Sequence, residues 1–86
     1  MKTKFITENN ELYLEIEGKK RKVLRAWESF SGWYWFMTEK QGKDIGFGFV
    51  QGVEQEWGSF SITELESMST TVWELSKEAI LYSGRR

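Results

Sequence analysis

Eighty-six residues without cysteine, histidine or proline make one small domain, 1–86, because a chain this short buries too little surface to divide its core in two. Twelve basic against thirteen acidic residues give a formal net charge of −1, which excludes a global pull toward nucleic acid or anionic lipid. The missing residue types exclude disulfides, thiol catalysis and a histidine-based nucleophile pair, and no stretch approaches the ~20 apolar residues of a membrane span.

The opening Met1-Lys2-Thr3-Lys4-Phe5-Ile6-Thr7-Glu8 reaches an acidic residue before any signal-length apolar run, so a cytoplasmic protein with no membrane contact is expected. Leu12, Leu14 and Ile16 then alternate with Tyr13, Glu15 and Glu17, the period of a half-buried strand. Gly18-Lys19-Lys20 reads as a three-residue turn, and a hairpin closed there sets Leu14 opposite Leu24, Leu12 opposite Ala26 and Glu17 opposite Arg21. Residues 22–30 also carry a helical spacing in Val23, Ala26, Trp27 and Phe30. Strand is preferred, because that helix would begin with basic residues at the positive end of its own dipole.

From Trp33 to Thr38 both faces are bulky, which predicts a central strand covered twice. Glu39 to Asp44 turns the chain, and Ile45 to Val50 returns with glycines at alternate positions. A symmetric hairpin puts Gly48 across from Trp35, Gly46 across from Met37, Phe36 against Phe47 and Tyr34 against Phe49, so that the glycines make room for indole rings. Trp57-Gly58-Ser59-Phe60 is a short strand or bend. Ser61 with Glu64 forms a capping box, so a short helix should start at Ile62, turn Ile62, Leu65 and Met68 toward the core, and end near Ser69 to Thr71. In the tail, Thr71 with Glu74 makes a second capping box, whereas Ala79-Ile80-Leu81-Tyr82 suits a strand, and a strand over 78–82 is favoured.

Gly46-Phe47-Gly48-Phe49-Val50 resembles the first ribonucleoprotein signature of RNA-recognition domains, whose aromatics stack bases. Ile45 stands where that signature has a basic residue and Gly52 where it has an aromatic, and the fold would demand a helix between Lys19 and Phe30. Core packing explains the same residues. Lys19, Lys20, Arg21 and Lys22, with Arg25, could hold the phosphates of single-stranded nucleic acid beside exposed aromatics, although Glu15 and Glu17 lie within cross-strand reach. Glu54 and Glu56 share one side of an extended segment, the minimum for a hard cation or an acid–base pair, but Asp44 falls in a different turn. No metal, cofactor or catalytic residue is therefore assigned. Trp57, beside a turn, is the tryptophan expected at an edge or pocket, where aromatic residues mark partner surfaces.

Trp33-Tyr34 leading to Thr38-Glu39, Phe47-Gly48-Phe49-Val50-Gln51-Gly52, Glu54-Gln55-Glu56-Trp57-Gly58 and Phe60-Ser61-Ile62-Thr63-Glu64-Leu65-Glu66 together resemble an uncharacterised family of small proteins found on plasmids and integrative mobile elements. The resemblance spans residues 23–66 and implies strand for Val23 to Trp27. It implies no catalytic residues, and Trp57 departs from the family's usual aliphatic residue. The expectation is an α+β domain, an antiparallel meander of about five strands with one short helix on a face. Its expected role is that of a non-enzymatic binding or accessory module, presenting Glu54, Glu56, Trp57 and Gly58 to a protein partner. Single-stranded nucleic-acid binding through Lys19, Lys20, Arg21 and Lys22 is the alternative.

Overall fold

Two antiparallel sheets and two short helices build residues 2–83, the part of the chain that the computed structural model describes. In chain order the elements are β1 (Lys4–Glu8), β2 (Glu11–Ile16), β3 (Lys19–Lys22), β4 (Arg25–Ser29), β5 (Tyr34–Lys40), β6 (Ile45–Gln51), β7 (Gln55–Ser61), α1 (Ile62–Ser67), β8 (Val72–Glu74) and α2 (Lys77–Ser83). The first three strands form one sheet in the order β1-β2-β3. The other five form a second, β7-β6-β5-β4-β8. The α+β class, the antiparallel meander (β4 to β7) and the short helix after Ser61 are as expected. The three-stranded sheet, β8 and α2 add to them.

Turn chemistry explains the smaller sheet. Asn9 (φ 50°) and Asn10 (φ 63°) link β1 to β2, and Glu17 (φ 53°) and Gly18 (φ 79°) link β2 to β3. A pair of left-handed residues suits the twist of flanking strands in a two-residue hairpin loop. The turn after Ile16 is therefore two residues, Glu17-Gly18, and the hairpin expected around Gly18-Lys19-Lys20 is corrected. Leu14 faces Arg21 and Ile16 faces Lys19, while Ala26 lies in the other sheet opposite Phe36. Leu24, in the crossover between the sheets, is half exposed.

The register of β5 on β6 also differs from the symmetric hairpin. Trp35 pairs with Val50, Phe36 with Phe49 and Met37 with Gly48, and an irregularity between Met37 and Glu39 shifts the remainder. A Cβ on Gly48 would stand 1.8 Å from the Phe36 carbonyl oxygen, so this glycine admits a close backbone approach. The ring-over-glycine arrangement occurs elsewhere: the Trp33 indole covers Gly52, 2.3–2.5 Å from where a Cβ would be.

The larger sheet is covered on both faces. One face joins the small sheet and α2 in a core of Leu12, Leu14, Val23, Ala26, Tyr34, Phe36, Phe49 and Ile80. The other packs Trp27, Met37 and Val72 against Ile62 and Leu65 of α1. β5 supplies both cores, as its two bulky faces predict. The Ser61 hydroxyl accepts from the Glu64 amide, and α1 closes at Met68, whose side chain stays partly exposed, not core as expected. Residues 78–82 lie in α2, correcting the expected strand. Ser76 caps this helix by accepting from the Ala79 amide at 3.2 Å, and helical spacing buries Ile80 together with Ser83. Thr71 precedes β8 and Glu74 is its last residue, so the second capping box starts no helix and its segment pairs with β4 instead.

Candidate functional site at the edge of the larger sheet

Four strands end the two sheets, and they differ in what they offer. β1 carries a lysine, β3 is wholly basic, and β8 has three residues. β7 has seven residues and neither lysine nor arginine. Short length and lysines are the usual protections of a sheet edge against further pairing, so β7 is the least protected of the four.

Two bonds fix which groups of β7 face outward. The Gly52 amide donates to the Glu54 carbonyl (3.0 Å) and the Ile62 amide to the Asp44 carbonyl (2.7 Å), continuing the β6–β7 register at either end. Directly bonded pairs alternate with unbonded ones in an antiparallel ladder. Glu54, Glu56, Gly58 and Phe60 therefore turn their backbone groups to β6. Gln55, Trp57 and Ser59 turn theirs away from the sheet.

The expected partner-binding residues gather on this edge. Glu56, Trp57 and Gly58 lie in β7, with Glu54 in the turn before it. Both glutamates are exposed and make no ion pair among the described residues. Trp57 is half-buried. Its ring packs against Phe47 and Phe49, with centroids 6.0 and 5.6 Å apart, and its indole nitrogen donates to the Thr3 hydroxyl at 3.0 Å. The indole thus braces the edge strand against the core. Gly58 pairs with Gly48, and nothing lies within 4 Å of the place a Cβ would take.

The basic run falls elsewhere and is divided. It forms β3, where Lys19 and Arg21 lie across from the inward-facing Ile16 and Leu14, while Lys20 and Lys22 lie across from Glu15 and Tyr13 on the outer face. Lys20 pairs with Glu8 and sits 4.9 Å from the centre of the Tyr13 ring; Lys22 pairs with Glu11 at 3.4 Å. Alternation along the strand therefore splits the four cations between two faces. Phe49 is buried and Phe47 lies under Trp57, so the Phe-Gly strand offers no exposed base-stacking platform. The helix an RNA-recognition fold needs between Lys19 and Phe30 is replaced by β3 and β4.

Carboxylates do not converge on a metal site: no group of three or more candidate ligands occurs among the described residues. Asp44 instead caps α1. Its carboxylate accepts from the Ser61 hydroxyl (2.8 Å), the Thr63 amide (2.7 Å) and the Thr63 hydroxyl. The bonds from Thr63 and Ser61 hold the Asp44 carboxyl below the usual aspartate range. Comparison with family models, curated proteins and solved structures gives no match. Gln55 and Ser59, whose backbones face outward, were not singled out by the sequence, because only the sheet order and ladder phase reveal them.

Proposed function

We propose that this protein is a non-enzymatic binding module that captures an extended segment of a protein partner as a further strand along β7. The observation carrying this reading is the edge itself: seven residues long, without a basic residue, and with the backbone groups of Gln55, Trp57 and Ser59 turned away from the sheet. Strand addition draws its affinity from main-chain hydrogen bonds and its selectivity from alternate side chains. Glu54 and Glu56 are exposed and make no ion pair among the described residues, which favours a partner segment carrying lysine or arginine. Trp57 holds the edge in place, and Gly58 leaves room above the strand. We propose in addition that the protein serves a mobile element in the cytoplasm, as the resemblance and the sequence reading imply.

The test is a selection of peptides of β7's length from a randomised displayed library, with Ser59→Pro protein as the counter-target. Proline at Ser59 removes an amide that faces away from β6, so the variant keeps its own ladder while its outer edge is blocked. Extended peptides rich in lysine or arginine that bind wild type and not Ser59→Pro support strand addition. Peptides that bind both proteins equally would sink it.

A further inference from the structure

At the opposite end of the larger sheet from β7, the small sheet, the β3–β4 crossover and the start of α2 enclose a cavity of about 360 Å³. That volume lies within the range of small-molecule sites. Leu12, Val23 and Ile80 line it and are themselves buried. Leu24 also lines it but is 49% exposed, an aliphatic side chain left without full cover beside an apolar floor.

Charged groups stand at the same cavity. Lys22 Nζ and Lys77 Nζ both approach one carboxylate oxygen of Glu11, each at 3.4 Å. Charge-assisted N–H···O bonds usually close to roughly 2.7–2.9 Å, so both ammonium groups are held loosely, and each has three donors. The neighbouring Arg25 differs: its guanidinium makes two 2.8 Å bonds to Glu74 and a third, at 3.3 Å, to Glu66. Among these groups Lys22 and Lys77 place two positive charges against the single negative charge of Glu11. Burial pushes the Glu11 carboxyl up, but the two ammonium groups outweigh it and hold the group below its usual range. Glu11 therefore stays ionised at neutral pH and is the anion an incoming one must displace or join.

We propose that this cavity binds a small amphiphilic monoanion, a carboxylate on a short aliphatic chain, with the carboxylate between Lys22 and Lys77 and the chain over Val23, Leu24 and Ile80. Lys22 and Lys77 together carry one positive charge more than Glu11, a local excess that suits a monoanion better than a dianionic phosphate. The site is independent of the β7 edge.

Hexanoate is the probe, titrated at low ionic strength and followed by backbone amide shifts. Acetate supplies the head without the chain, and hexylammonium the chain with the opposite charge. Saturable shifts confined to residues 11–12, 22–25 and 74–81 are expected, with hexanoate binding roughly tenfold more tightly than acetate and hexylammonium giving no saturation. Lys22→Gln with Lys77→Gln should weaken hexanoate roughly tenfold, and Glu11→Gln should strengthen it about threefold by removing the competing carboxylate. The proposal is overturned by equal binding of acetate and hexanoate, by saturation with hexylammonium, by unchanged or weaker binding in Glu11→Gln, or by no saturable shift at the cavity.

Discussion

Replacing Gly48 by alanine tests the close approach of β5 and β6 beside the irregularity in their register. The new Cβ would meet the Phe36 carbonyl oxygen at 1.8 Å, its carbon at 2.8 Å and Met37 Cα at 3.0 Å. All three are backbone atoms, so no side-chain rotation relieves the clash. The strands must part by more than 1 Å, loosening a pair whose side chains, Phe36 and Phe49, are both buried. Lost ladder bonds cost about 1 kcal/mol each, and with the loosened core the total should reach about 3–5 kcal/mol. A chain of 86 residues has roughly 4–13 kcal/mol to lose, so Gly48→Ala should melt at least about 12 °C lower or fail to fold. Gly58→Ala is the control, because its Cβ would touch nothing within 4 Å. Reducing the freedom of the unfolded chain should leave it unchanged or up to about 1 kcal/mol more stable. Urea and thermal unfolding followed by tryptophan fluorescence measure both. A Gly48→Ala protein within about 1 kcal/mol of wild type, or equal losses in the two variants, would refute the register argument.

Trp57→Ala should cost about 2 kcal/mol, roughly half the value for a fully buried tryptophan, because it loses the Phe47 and Phe49 contacts and the bond to Thr3. Trp57→Phe should keep most of that stability in the same urea assay, and a loss as large as that of alanine would contradict the bracing role. Asp44→Asn should change the acid limb of the stability curve. Since the folded Asp44 pKa is depressed, its contribution is present above the ordinary value of 3.8 and is lost as pH falls through the lower folded value. Wild type should therefore lose more stability than the variant in that acid window, and parallel curves would refute the cap. Ser59→Pro should remain folded with its β6–β7 ladder intact by amide exchange, whereas collapse of that ladder would show that the phase assigned to β7 is wrong.

Local signals carried much of the fold. The alternation of Leu12, Leu14 and Ile16 is a one-faced strand in sequence and in space, and Ser61 with Glu64 marks the helix start. The double face of Trp33 to Thr38 was equally legible, because a central strand must be apolar on both sides. Hairpin registers were not, since they turn on φ values at Glu17 and Gly18 and on an irregularity between Met37 and Glu39, neither of which composition encodes. The Asn9-Asn10 turn was a usable sign of β1, the strand that sequence periodicity passes over. Asp44 reaches across nineteen positions to cap α1, a long-range contact without local trace. At the candidate site, Glu54 to Gly58 were distinguishable by residue type alone. That they lie on an unprotected edge depends on the strand order β7-β6-β5-β4-β8.

Hydrogen exchange along β7, with and without a selected peptide, tests strand addition most directly. In the free protein the amides of Glu56, Gly58 and Phe60 should exchange slowly and those of Trp57 and Ser59 quickly, because only the first set bonds to β6. On binding, Trp57 and Ser59 should become protected while the inner set is unchanged. Peptide binding that leaves Trp57 and Ser59 exchanging as fast as before would contradict the account.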